Sequence, residues 1–352
     1  MISYIEFINF RNISNLKLEL NPLTNLFIGE NGQGKTNLLE GLYFLCNGRA
    51  INNKKNDYII NFEKKTAIIK ARADNKNFKV VINKDNKSIY VNDKLIEKVS
   101  DYIGIINSVL LIPKDIEIID GQPKTRRKFI DEEISKISID YVDDLKNYYK
   151  LLKERNILLR NQVRDYVMYE VIDRIIIDLQ VSIYKKRKEF IELLSKEVKN
   201  YYHQFYDIDI EIVYDSIFKN DNEKIKELYK NEFEKDILYK RTSLGIQIED
   251  IEFKSNSVNA AYTLSQGQKR ILLICLKLAN VNIIKKASEK SPLLLFDDIL
   301  AELDEDNKNK IIELIPKETQ VVITATSKIN QIKNCKIHTI ENGNIKEEIY
   351  DK

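Results

Sequence analysis

Gly29-Glu30-Asn31-Gly32-Gln33-Gly34-Lys35-Thr36 satisfies the phosphate-loop pattern GxxxxGK[ST] at every fixed position. The apolar run Leu26-Phe27-Ile28 precedes it and the helical stretch TNLLEGLYFL follows it. A strand, a glycine-rich turn and a helix in that order say far more than the eight letters alone. Three glycines let successive backbone N–H groups turn inward on a triphosphate, and the helix N-terminus adds the positive end of its dipole. Gly29 to Asn37 are therefore the predicted ATP-binding residues. Lys35 is placed to neutralise the β- and γ-oxygens, and the Thr36 hydroxyl to sit on Mg2+.

Such a site needs an acid at the end of a buried strand. Pro292-Leu293-Leu294-Leu295-Phe296-Asp297-Asp298 supplies two after four apolar residues. Unpaired acids buried there would be costly, so a cation or water cluster is expected against them. Asp297 is assigned to Mg2+, through water, and Asp298 to polarising the attacking water. The pair can instead cap the following helix, and that reading stays open here.

The phosphate loop is shared by kinases, GTPases and several motor classes, and the Asn-Lys-x-Asp of GTPases is absent. Leu264-Ser265-Gln266-Gly267-Gln268-Lys269-Arg270 opens a helix, with Ser265 lying 32 residues before Asp297. It resembles the signature of ABC ATPases, and Ala301-Glu302-Leu303-Asp304 follows in the D-loop position. Serine and glycine at a helix N-terminus make a second phosphate surface. In ABC ATPases that surface, here Ser265, Gln266, Gly267 and Gln268, faces the phosphate loop of another head. One of each per chain implies a homodimer enclosing two ATPs.

The chain has 352 residues, with 57 Lys and Arg against 54 Asp and Glu, a net charge of +3. That balance excludes a strongly basic nucleic-acid coat and leaves local patches as the route to DNA. Three scattered cysteines and two histidines argue against a disulfide framework or a Cys/His zinc site. No apolar run reaches membrane-spanning length and the N-terminus lacks a signal-peptide pattern, so a cytoplasmic protein is expected. Residues 124–244 contain neither glycine nor proline, which reads as long helices. Twelve of the nineteen tyrosines fall between Tyr141 and Tyr239, and their plain reading is helix-on-helix packing. Both flanks hold short β-type runs, among them Ser3–Phe10, Ala67–Ala71, Phe78–Ile82, Leu293–Phe296 and Val321–Thr324. The predicted architecture is α/β: an ABC-type P-loop ATPase head, residues 1–122 and 245–352, with an inserted α-helical arm, residues 123–244.

Within the ABC class, the inserted arm and the early Phe7-Ile8-Asn9-Phe10-Arg11-Asn12 resemble the SMC-like branch, where the basic residue, here Arg11, lies near the nucleotide phosphates. Over nearly its whole length the chain is similar to the RecF family of DNA replication and repair proteins. The shared blocks are GENGQGKTNLLEGLYFL and a segment carrying Pro113, Asp115, Gly121, Pro123, Arg126, Arg127, Phe129 and Asp131. Tyr141, Tyr148, Leu152 and Arg155-Asn156 continue the likeness, and SQGQKR, LLLFDDILAELD and Ile340-Glu341-Asn342-Gly343 complete it. Three departures stand out. Leu244–Asp250 lacks the family's Pro-His, Ala50-Ile51-Asn52-Asn53 replaces a Ser-His-Arg-like tail, and no switch histidine follows Thr324.

The resemblance implies ATP-dependent dimerisation and binding to single-stranded, gapped or junction DNA. It also implies work with RecO and RecR to load the recombinase, and a part in the SOS response. Asp298 in place of the glutamate of many ABC ATPases implies slow hydrolysis, and a weak DNA-stimulated ATPase is expected. Lys124–Lys128 and Lys185–Lys188 are basic clusters suited to phosphate contacts. Residues 121–200 carry 18 basic against 14 acidic side chains, so taken alone these clusters read as solvated helix faces. Two rival readings remain: a non-catalytic ATP-binding scaffold that recruits RecR, and another SMC-like ATPase.

Overall fold

A computed structural model describes residues 1–51, 56–218 and 222–351, so Asn52 and Asn53 of the replaced tail lie outside the described residues. The chain forms two units, Met1–Asp115 with Leu273–Lys352, and Ile116–Leu272.

In the first unit β1 (Ile2–Phe10), β2 (Ile13–Glu19), β4 (Thr66–Ala73), β5 (Lys76–Asn83), β6 (Lys87–Val91) and β7 (Lys94–Ile96) form an antiparallel sheet ordered β2-β1-β4-β5-β6-β7. Alternation sets the faces: Ala67, Ile69, Ala71 and Ala73 of β4 are buried, while Lys70 and Arg72 point outward. Between the first two strands and β4 run β3 (Thr24–Ile28) and α1 (Lys35–Asn47). Leu38, Leu42 and Leu45 of α1 join the same core as Phe7, Ile69 and Val80. Gly41 allows that approach, since a Cβ there would lie 2.3 Å from the Phe7 ring. β8 (Ser108–Leu111) closes this part of the chain.

The second unit holds α2 (Glu117–Asp120), α3 (Pro123–Ser135), α4 (Ile139–Arg160), α5 (Tyr166–Tyr202) and α6 (Asn222–Tyr239). Ser138 and Asp165 start α4 and α5 by accepting the backbone N–H of Tyr141 and Met168. The 37 residues of α5 span about 55 Å at ~1.5 Å per residue. Tyr141, Tyr148, Tyr169, Tyr184, Tyr202 and Tyr229 are buried, so they do pack helix on helix. The stretch without glycine or proline is not helical throughout. It contains β9 (Ile210–Val213), which pairs with β10 (Glu252–Ser255), itself paired with β11 (Val258–Asn259). The period-two run Ile208, Ile210, Ile212 wins there over the absence of helix breakers. α7 (Ala260–Thr263) then leads into α8 (Gln266–Ser288).

The chain re-enters the first unit at Leu273, within α8, and continues through β12 (Leu293–Asp297), α9 (Glu305–Leu314), β13 (Val321–Ala325) and the hairpin β14 (Cys335–Glu341) and β15 (Asn344–Asp351). These complete a second sheet ordered β15-β14-β3-β13-β12-β8, parallel except for β15 at the edge. β3, β12 and β13 are apolar runs buried within the sheet, as parallel strands require. No helix among the described residues is long and apolar enough to cross a membrane.

Candidate nucleotide site

The carboxyl ends of β3 and β12 put the phosphate loop beside the acid pair. β3 ends at Ile28, the loop runs through Gly34, and α1 begins at Lys35. Gly34 has φ +104°, and a Cβ there would lie 2.8 Å from the Asn12 amide; Gly32, at φ +83°, faces open space. No side chain caps α1 and no acid sits in its first turn, leaving its N-terminal N–H groups for an anion. The Lys35 ammonium donates to the carbonyls of Gly29 and Glu30, holding it across the loop. A cavity of about 310 Å3 opens here, lined by Gly32, Gly34, Lys35, Thr36, Asp297 and Asp298, with Pro113 and others at its edge.

The Thr36 hydroxyl lies 3.0 Å from both Asp297 carboxylate oxygens. Asp297 is only 7% exposed. Register brings a third group in: Asp297 pairs with Thr324 of β13, whose hydroxyl donates to Asp297 at 2.8 Å. The Asp298 N–H donates to the Thr324 hydroxyl at 3.1 Å, so Thr324 links the two acids. Sequence reasoning passed over Thr324 while looking for a histidine just after it; its signal was its place at the end of an apolar strand. Asp298 has φ +53° and its side chain makes no cap bond. The helix cap is Asp304 instead, which accepts the Asn307 N–H at 2.8 Å. That bond holds the Asp304 carboxyl below the usual carboxylate range.

One hydroxyl and one carboxylate are the hard oxygen ligands that suit Mg2+. Among the described residues no group of three or more His, Cys, Asp or Glu side chains could hold a metal. An ion held by Thr36, and by Asp297 through water, would thus take its remaining ligands from phosphate and water, and the residues fit that group.

The β14–β15 turn steadies the loop. Asn342 and Gly343, at φ +50° and +76°, make the left-handed pair that a two-residue hairpin needs. Their N–H groups donate to the Gln33 side chain at 2.6 Å and the Gln33 carbonyl at 2.9 Å. Gly29 is required because a Cβ would meet the Ile340 carbonyl at 2.5 Å. Asn37 donates to Asn12 at 2.8 Å. Arg11 sits at φ +53° and pairs with Glu40 of α1 at 2.6 Å, with a further bond to the Tyr58 carbonyl.

Ser265–Gln268 belong to the second unit. The Gln268 N–H donates to the Ser265 hydroxyl at 3.3 Å and the Ser265 N–H to the Gln268 side chain at 2.9 Å, a capping box that opens α8. Ser265, Gln266 and Gly267 are exposed, and a Cβ on Gly267 would meet nothing. Two half-buried pairs anchor the neighbourhood. Lys269 reaches Asp120 at 3.4 Å, and Arg126 grips Asp250 with two bonds of 2.8 Å. Asp250 thus serves Arg126 in the stretch that lacks Pro-His. Glu249 accepts from Tyr214 and Ser216, and burial raises its carboxyl above the ordinary range despite those bonds.

The basic clusters are only partly available to phosphate. Arg187 is fully buried, paired with Asp131 at 2.8 Å and bonded to Tyr141 at 3.0 Å. Arg127 donates to the Glu249 carbonyl and Lys186 pairs with Asp144 at 2.9 Å. Lys124, Lys128, Lys185 and Lys188 are exposed.

The sequence matches the RecF/RecN/SMC N-terminal domain family across residues 1–343. A DNA replication and repair protein RecF of Acholeplasma laidlawii is 33% identical over 332 residues, covering 94% of this chain and 95% of that protein. The chain belongs to the RecF family. Its RecF relative in Streptococcus thermophilus is 34% identical over 363 residues, with 99% of each chain covered. Among solved structures, the recombination mediator protein RecF-ATP in the RecFOR pathway superposes with a TM-score of 0.91 at 29% identity, covering 99% of this chain and 97% of that one. The RecF-ATPrS structure gives 0.89 at 30%, covering 99% and 98%. An SmcHead bound to the C-winged helix domain of ScpA, 15% identical with a TM-score of 0.59 and 99% and 97% covered, shares the fold. The fold of this RecF-family chain is the α/β head of ABC-type ATPases with helical elements inserted.

Proposed function

We propose that this chain binds ATP with Mg2+ at the phosphate loop, dimerises on it, and in that state holds gapped or single-strand/double-strand junction DNA. The broad role follows from the family: a protein of DNA replication and recombinational repair. The observation that carries the nucleotide reading is Thr36 set 3.0 Å from both oxygens of Asp297 under an uncapped, glycine-lined helix end. Relatives named for bound ATP support it.

In this reading residues 1–122 and 245–352 form the ATP-binding head and 123–244 the arm. Lys35 and the loop N–H groups neutralise phosphate charge, and Thr36 with Asp297 would hold Mg2+, which would supply further charge neutralisation when bound. Asp298 orients water, and as the shorter acid it reaches less far, so turnover is slow. Ser265–Gln268 of one copy meet the phosphates held by the other, with Asp304 in the D-loop beside them. Arg11 lies near those phosphates, and releasing it from Glu40 is the rearrangement this role requires. Two shared nucleotides favour the dimer, and loss of the γ-phosphate removes that preference. RecR and RecO are the expected partners.

The test is retention of a gapped duplex with ATP, ADP or no nucleotide, in the wild-type chain and in Lys35→Met. Retention with ATP alone, lost in the variant, is the expected result. Retention indifferent to nucleotide would overturn the reading.

A further inference from the structure

Tyr166, Tyr169 and Ile177 of α5, with Tyr229 and Phe233 of α6, enclose a cavity of about 790 Å3 in the second unit. That volume falls in the ~300–1,000 Å3 range of ligand pockets. Its floor is aromatic: Tyr169 and Tyr229 are each 2% exposed and Phe233 6%. Tyr169 and Tyr229 stack on the buried Arg155 guanidinium at 5.5 and 5.1 Å. The Tyr169 hydroxyl is buried with no hydrogen-bond partner among the described residues.

The rim is cationic and apolar together. Arg174 and Lys230 line it and make no ion pair or side-chain hydrogen bond among the described residues, whereas Lys226 is bonded to Glu223. Of the two acids on the wall, Asp173 is held by Arg155 at 2.6 Å, which leaves Glu170 as a single opposing charge. Alongside runs a helical stripe at i, i+4 and i+8: Val167, Val171 and Ile175 are 72%, 51% and 42% exposed. An apolar stripe beside a deep aromatic pocket is the form of a groove that receives a helical segment through spaced anchor side chains.

We propose that this groove docks an amphipathic segment of a partner protein, with an apolar anchor in the cavity and acidic side chains on Arg174 and Lys230. Charge decides the sign of the partner, since two uncompensated cations face one carboxylate. The valine stripe decides its class, because a phosphate backbone gains nothing from Val167, Val171 and Ile175 and meets Glu170 among them. None of these residues belongs to the nucleotide site.

Fluorescence anisotropy on the full chain tests this with three labelled probes. They are a short amphipathic peptide with leucine and phenylalanine on one face and glutamate on the other, the same peptide with lysine for glutamate, and an oligothymidylate. The acidic peptide is expected to bind with a Kd on the order of 10 μM, at least about tenfold tighter than the basic one. Arg174→Glu with Lys230→Glu should reverse that preference, and Val171→Asp should abolish binding of both peptides, with circular dichroism verifying the fold of each variant. The inference is overturned if the acidic peptide fails to bind, if both peptides bind the wild-type chain equally, or if the double charge reversal changes nothing. It is equally overturned if that reversal removes only oligothymidylate binding, which would make the groove a nucleic-acid surface.

Discussion

Asp297 does its work because β12 and β13 hold it in register with Thr324, which leaves Thr36 as the remaining hydroxyl against its carboxylate. Asp297→Asn keeps the shape and removes the charge. ATP affinity with Mg2+ should then fall at least tenfold, about 1.4 kcal/mol, while affinity without Mg2+ stays unchanged, as read by calorimetric titration. A second residue makes a prediction about acid. His338 is buried, stacks on Phe27 at 4.4 Å and has Glu348 2.9 Å away. Burial pushes its pKa down to about 4, overriding Glu348, which acts upward. From about pH 6.5 down to 4 the unfolded chain therefore takes up a proton that the folded chain refuses. The stability this histidine contributes is present above that window and drains away as pH falls through it. Between about pH 7.5 and 5 the loss should be roughly 2 kcal/mol, seen as a lower urea midpoint. His338→Asn should flatten that pH dependence; an unchanged slope would show that other groups cause it.

At the scale of elements, α4, α5 and α6 are joined by Arg155, which is fully buried and paired at 2.6 Å with both Asp173 and Asp236. Burial raises the Asp173 carboxyl even beside Arg155, so desolvation outweighs the ion pair there. Removing the cation alone strands two carboxylates, so Arg155→Met should cost about 3–5 kcal/mol in denaturant unfolding. The start of α8 is a milder case: Ser265→Ala removes a cap worth about 1 kcal/mol, whereas Ser265→Asp keeps it. Local pattern made much of this legible. Alternation along β4 and β5, apolar runs at β3, β12 and β13, and the loop glycines follow from spacing alone. The short β8, and the hairpin contact that joins Gln33 to Asn342 across 309 residues, depend on non-local pairing that no local period encodes. The basic clusters misled for a related reason. Arg187 reads as a surface cation until Asp131, Tyr141 and Tyr214 arrive from other elements to enclose it.

For the whole molecule, the phosphate loop and the signature lie in different compact units of one chain, and the proposed ATP sandwich takes one from each of two copies. Each copy then has two separable faults. Lys35→Met spoils the site a copy offers through its own loop, and Ser265→Arg spoils the one it completes for its partner. A mixture of the two variants retains one intact composite site per mixed dimer. The measurement to make is light scattering with Mg2+ and ATP on the wild-type chain, each variant, and their mixture, with ATP occupancy followed in parallel. A dimer for the wild type, monomers for each variant alone, and partial dimer for the mixture are predicted. A wild-type chain that binds ATP and stays monomeric would contradict the proposal outright.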